Sequence, residues 1–271
     1  MSRLAAMFAQ LQQKNRAALI PFITAGDPSL TATVPLMHAL VESGADAIEL
    51  GMPFSDPMAD GPSIQRASER ALGRGVKLRM VLEWVREFRR SNQQTPVILM
   101  GYLNPLEAMG MATFAELAAG AGVDGVIIVD LTPEEGREES ALLKACGVDP
   151  IFLLAPTSGA ARVQTVRELG SGFVYYVSLR GITGAAQSDW PEVLKRVGEL
   201  RRELALPVAI GFGIRDAETV TRVAQGADAV VVGSALVEQL ADCSNDQAAV
   251  QVAKNFIQAL AGAVQKPRSV Q

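Results

Sequence analysis

Three observations predict an α/β fold for this chain, a single-domain (β/α)8 TIM barrel with an extra N-terminal helix. Eight short apolar runs recur, each separated from the next by a longer helix-like pattern. Most are near-continuous Ile, Val, Leu and Ala, as in parallel strands covered on both faces. The 271 residues, 49% of them hydrophobic, suit eight such units in one closed barrel with a well-buried core.

In chain order, residues 1–16 place Leu4, Met7, Phe8 and Leu11 at helical spacing. That pattern, with Arg3, Gln10 and Lys14 between, predicts a helix and not a signal peptide. Strand-like runs follow at 19–24, 47–51, 97–101, 125–130, 150–155, 173–178, 208–212 and 229–233. Four of them open on an echo: GADAIEL from Gly44, GVDGVII from Gly122, GVDPIFL from Gly147 and GADAVVV from Gly226. Each echo predicts a left-handed glycine cap on a helix, then an aspartate at the strand start. Those positions lie on the bottom face of a barrel, so Asp46, Asp124, Asp149 and Asp228 are assigned to stability. Residues 1–271 read as one domain, with a frayed tail over 265–271.

The bulk numbers exclude several functions. A net charge of −4 and no Lys or Arg run argue against a nucleic-acid surface. No apolar run reaches membrane-spanning length. Cys146 and Cys243 have no metal-ligand spacing, and two cysteines far apart suit a reducing cytoplasm. The one histidine, His38, falls in an amphipathic helix pattern and is expected at a helix surface. Its isolation removes most metal sites and histidine-based catalysis.

Two polar stretches after strands, 53–62 and 180–190, are longer than ordinary loops and suit lids or binding loops on the C-terminal face. Glu49 interrupts an otherwise apolar strand. If Ile48 and Leu50 face the helices, then Ala47, Glu49 and Gly51 face the interior. A carboxyl there is costly unless it is partnered or functional, and burial raises its pKa toward neutral. Ser55, Asp56 and Asp60 follow in the loop as candidates for polar work or for turn capping. Glycines at 211 and 213, then Gly233 and Ser234 at a helix start, suit a phosphate cradle, with Thr183 and Gly184 in a position to complete it. The same glycines also suit tight turns alone. The lysines, at 14, 77, 144, 195, 254 and 266, all fall in helix or tail patterns, which argues against Schiff-base chemistry. Proton transfer by carboxyl groups remains, on a substrate that is its own electron sink.

Residues 48–61, IELGMPFSDPMADG, resemble the signature of the tryptophan synthase alpha subunit family. PFITAGDP at 21–28, MGYLNP at 100–105, DLTPEE at 130–135, GITG at 181–184 and GFG at 211–213 match in order. The resemblance implies a carbon–carbon lyase (EC 4.2.1.20) cleaving indole-3-glycerol phosphate to indole and glyceraldehyde 3-phosphate in L-tryptophan biosynthesis. It implies Glu49 as proton carrier, Asp60 as partner of the indole N–H, and Tyr175 beside Glu49. Phe22 and Phe212 would touch the ring, and Gly184, Gly213, Gly233 and Ser234 the phosphate. Thr183 would meet Asp60 when the site closes. The implied partner is a beta subunit carrying pyridoxal phosphate, in an α2β2 heterotetramer, met at Asp56, Tyr102, Asn104 and Pro105. This chain itself would carry no cofactor and no metal. Ser178-Leu179-Arg180 departs from the family's usual Ser-Arg-Ala, so contacts of that arginine are not carried over. Other phosphate-binding barrels, such as sugar-phosphate isomerases, would need His or Lys at strand ends. A degenerate subunit that only activates a partner would not need both acidic residues.

Overall fold

The structure is a computed structural model that describes residues 2–177, 190–211 and 213–265. Its nine strand segments are all parallel: β1 (Ala18–Thr24), β2 (Ile48–Gly51), β3 (Val97–Gly101), β4 (Gly125–Ile128), β5 (Asp149–Ile151), β6 (Leu153–Leu154), β7 (Val174–Val177), β8 (Val208–Gly211) and β9 (Ala229–Val232). They pair in the order β5-β4-β3-β2-β1-β9-β8-β7-β6. The two ends of that order are joined on the chain by one residue, Phe152. The barrel is therefore eightfold, with its fifth strand broken in two. β5 pairs with β4 and β6 with β7, while the Phe152 carbonyl accepts from Tyr175 N at 3.0 Å. The stagger of a barrel makes neighbouring strands overlap along only part of their length, so the strand changes partner there. The run at 125–130 also ends early as a strand, at Ile128, before a turn.

Alternation sorts the side chains into two layers. Ile48, Leu50, Val97, Leu99, Val174, Tyr176, Val230 and Val232 face outward into one core with the helices. Ala18, Ile20, Ala47, Ile98, Ile127, Ile151, Phe173, Tyr175, Ala209 and Val231 fill the interior. Helix α1 (Arg3–Gln13) plugs the bottom of that interior. It is capped by Ser2 Oγ on Ala5 N, and its buried Leu4, Met7, Phe8 and Leu11 join the interior core. Each contributes roughly 1.5–3 kcal/mol of burial.

Helices cover the outside: α2 (Thr33–Glu42), α3 (Pro62–Gly73), α4 (Leu78–Arg89), α5 (Leu103–Met109), α6 (Met111–Ala121), α7 (Arg137–Ala145), α8 (Ala160–Leu169), α9 (Trp190–Leu204), α10 (Ala217–Ala224), α11 (Ser234–Ala241) and α12 (Asp246–Val264). His38 on α2 is half-buried against the Phe88 ring, with centroids 4.8 Å apart, and Ser91.

The echoed aspartates staple the bottom of the barrel. Asp46 accepts from Arg16 and from Leu19 N. Asp124 accepts from Arg3, Arg89 and Val97 N. Asp228 accepts from Arg201 and Val208 N, and Asp149 from Ser171. Gly44, Gly122 and Gly147 adopt the expected positive φ, but Gly226 does not. Space favours glycine at 226 instead, since a Cβ there would lie 2.9 Å from Leu194 Cδ2 on α9 and push that side chain aside. Among the described residues no helix is long and apolar enough to cross a membrane. Except for Gln265, the tail over 265–271 lies outside the described residues.

Candidate active site

Glu49 projects from β2 into the barrel interior, between Phe22 on β1 and Ile98 on β3. It is 1% exposed, and its Oε2 has no hydrogen-bond partner among the described residues. Burial pushes its carboxyl up to about 8, helped by the nearby charge of Asp60. At neutral pH Glu49 is therefore a carboxylic acid. The Phe22 ring lies over Gly51, where a Cβ would sit 2.5 Å from Phe22 Cζ. Gly233 backs the same ring from the other side.

Asp60 lies above, in the loop between β2 and α3. The loop is pinned at several points. Asp60 N donates to Pro57 O at 3.0 Å, Gln65 Nε2 donates to Asp60 O at 2.9 Å, and Ala59 N donates to Tyr102 Oη at 3.1 Å. The Phe54 ring stacks on Tyr102 with centroids 5.0 Å apart. Burial raises the Asp60 carboxyl to about 6, and the Tyr102 hydroxyl pulls against that rise. Ser55 and Asp56 behave differently. Both are exposed, and Ser55 Oγ donates to the Asp56 carboxylate, a local turn contact. The geometry thus separates Asp60 from the other polar residues of its loop.

Tyr175 projects inward from β7, as alternation from Phe173 requires. Burial, Glu49 and Asp60 together raise its hydroxyl well above the usual tyrosine value, so it stays a neutral phenol. Gly211 leaves room for it, since a Cβ there would meet Tyr175 Oη at 1.8 Å. The structure adds a steric reason for this glycine, the space taken by the tyrosine ring.

At the phosphate side, Gly213 has φ of +69°. Gly233 is the N-cap of α11 and Ser234 its first residue, with no side-chain cap and no acidic residue in the first turn. A helix start with neither a side-chain cap nor an acidic first turn is suited to an anion. Thr183, Gly184 and Phe212 lie outside the described residues, as do Arg180 and most of the 180–190 loop.

Asp56 and Asn104 are exposed and Pro105 is half-buried, while Tyr102 is 3% exposed beneath the Asp60 loop. Tyr102 therefore supports the loop from inside the chain. A pocket at the mouth is lined by Phe22, Thr24, Gly51, Asp60, Met100 and Tyr102, among others. Thr24 is a residue that pattern reading misses. Its Oγ1 is buried without a partner among the described residues, and a threonine in a strand gives no local sign of that. Among the described residues no group of three or more His, Cys, Asp or Glu could hold a metal ion.

Fold and site together define a TIM-barrel enzyme with two carboxyl groups of unequal acidity at the mouth of its barrel. Residues 8–265 match the family described as tryptophan synthase alpha chain. The chain is 77% identical to the tryptophan synthase alpha chain of Acidithiobacillus ferrooxidans (strain ATCC 53993 / BNL-5-31), over 97% of each. It is 57% identical to that of Azoarcus sp. (strain BH72), over 93% of each. The crystal structure of tryptophan synthase subunit alpha from Legionella pneumophila str. Paris superposes with a TM-score of 0.90. It is 41% identical, over 97% of this chain and 98% of that one. The chain belongs to the tryptophan synthase alpha chain family. It is a lyase of tryptophan biosynthesis, acting on indole-3-glycerol phosphate.

Proposed function

We propose that Glu49 carries the proton in this cleavage, that Asp60 stabilises the charge on the indole, and that Tyr175 orients Glu49. The observation that carries this reading is the inequality of two neighbouring carboxyl groups. One is held protonated up to about pH 8 and the other ionises near 6. A pair whose environments push its pKa values apart divides acid and base roles between its members.

The steps balance as a retro-aldol reaction. Glu49 gives its proton to C3 of the indole ring, and the ring becomes a cation. The Asp60 carboxylate accepts the indole N–H and stabilises that charge. Glu49, now a carboxylate, takes the proton of the substrate hydroxyl on the carbon attached to C3. The C–C bond breaks, its electron pair returns to the ring, and the hydroxyl carbon becomes an aldehyde. Glu49 ends protonated, so no net proton is consumed. Phe22 and Phe212 hold the ring. Gly184, Gly213, Gly233 and Ser234 hold the phosphate with backbone N–H groups and the α11 dipole. Thr183 meets Asp60 on closure, which excludes water.

The family's alpha chain carries no cofactor itself, and it works with a beta subunit. The finer reading is an α2β2 heterotetramer in the cytoplasm, with pyridoxal phosphate on the partner. Asp56, Asn104 and Pro105 would face the partner, and Tyr102 would act from beneath. Glu49→Gln tests the reaction: indole release from indole-3-glycerol phosphate should vanish while the chain stays folded. Undiminished release would end the assignment of Glu49.

A further inference from the structure

Three stretches of backbone carry the parts of the proposed site. The Asp60 loop enters α3 at Pro62, the loop after β8 passes Gly213, and α11 begins at Ser234. One side chain ties them together. Glu238 lies one turn into α11. Its Oε1 accepts a 2.6 Å hydrogen bond from Ser63 Oγ, three residues after Asp60. Its Oε2 lies 3.4 Å from Arg215 Nη1, two residues after Gly213. Ser63 is buried and the Glu238 side chain is 39% exposed, so the first contact is a charge-assisted bond at the edge of the packed surface. The Arg215 side chain is 60% exposed, so that pair is weak alone and adds direction more than strength.

The start of α3 has a use for this anion. Its N-cap is Gly61, its first residue is proline, and its first turn holds no acidic residue. The N–H groups of a first turn carry partial positive charge. Glu238 supplies the complementary charge from another element. Holding the helices together does not require it, because Ala67 of α3 and Val237 of α11 already close on Phe22.

We propose that Glu238 is a positioning residue that clasps the Asp60 loop to the phosphate side of the site, through Ser63 and Arg215, and so couples phosphate binding to the placement of Asp60. This rests on the roles given above to Asp60, Gly213 and Ser234. An anion seated on the N-terminus of α11 acts on the helix whose Glu238 accepts the hydrogen bond from Ser63 of α3. Its binding energy therefore reaches the Asp60 loop directly.

Four versions of the full-length chain test this: wild type, Ser63→Ala, Glu238→Ala and the double variant. Ser63→Ala and Glu238→Ala should each lower kcat for indole release about 5–10-fold, the scale of one lost hydrogen bond. The double variant should be no slower than the slower single, since both remove one contact. In Glu238→Ala the acid limb of the kcat/KM profile should move to lower pH, because a freer loop admits water to Asp60. Binding of glycerol 3-phosphate, measured by calorimetry, should weaken about threefold. Glu238→Gln keeps an acceptor for Ser63 and should show smaller changes in the same directions. Losses that multiply in the double variant overturn the clasp. So does an unmoved acid limb with kcat falling only as thermal stability falls, or unchanged glycerol 3-phosphate binding. The reaction itself is overturned by a different result, indole release surviving Glu49→Gln.

Discussion

Burying the Glu49 carboxyl makes the stability of the barrel depend on pH, and Glu49→Gln isolates that dependence. Burial lifts the group from 4.5 to about 8 in the folded chain. In the unfolded chain it returns to the ordinary glutamate range. Below about 4.5 both states hold the proton, and the group imposes no penalty. As pH rises from there, the unfolded chain releases a proton that the folded chain keeps. Stability therefore falls with rising pH, and the fall ends above the folded value of about 8. Each pH unit in that window costs about 1.4 kcal/mol. The penalty is about 3 kcal/mol at pH 7 and about 5 kcal/mol above pH 8. A glutamine has no proton to release. The stability of Glu49→Gln relative to wild type should therefore grow by a few kcal/mol between pH 5 and pH 8.5. Asp60 titrates in both proteins and largely cancels in the difference. Urea unfolding followed by far-ultraviolet circular dichroism at several pH values gives the gap. Its slope with pH is the test, because the fixed offset also contains the cost of burying an amide. A gap that is flat with pH would refute the argument that Glu49 is a buried acid held protonated by desolvation.

Three further outcomes follow from the same geometry. The kcat/KM profile should rise as Asp60 ionises near 6 and fall as Glu49 loses its proton near 8; Asp60→Asn should remove the acid limb and lower the rate roughly 10²–10³-fold, and a retained limb would assign it to another group. Gly211→Ala places a Cβ 1.8 Å from Tyr175 Oη; the forced shift should cost about 1–3 kcal/mol and slow indole release, and an unchanged melting temperature and rate would show that the ring is not held there. Asp124→Ala leaves the Arg89 guanidinium, 6% exposed, without its carboxylate. Breaking that buried pair should cost about 3–5 kcal/mol in urea unfolding, with kcat of the folded fraction unchanged because the staple lies at the opposite end from Glu49.

The barrel was legible because its signals are local. Strands buried on both faces read as apolar runs, and alternation alone put Ile48 and Leu50 outside and Glu49 inside. Tyr175 was separable from Tyr176 by the same argument from Phe173. A single carboxyl inside an apolar strand is costly enough to announce itself, and the absence of strand-end lysine and histidine is a fact of composition. What stayed hidden depends on barrel closure, which sets residues far apart in sequence side by side. The break at Phe152 arises where one strand changes partners. Gly226 packs against Leu194 and has no left-handed cap, and Gly211 packs against the Tyr175 hydroxyl. Tyr102 lies in a motif associated with the partner, yet it sits beneath the Asp60 loop. The Thr24 hydroxyl, without a partner among the described residues, and the contact from Ser63 to Glu238, 175 residues away, have no local trace. The sequence by itself determined the fold class, the inward acid and the chemistry left open to it, because periodicity and the cost of buried charge act within a few residues. Only the tertiary structure decided how acidic each carboxyl is and which distant elements are tied to each other. Desolvation and hydrogen bonding depend on neighbours that the chain supplies from its far ends.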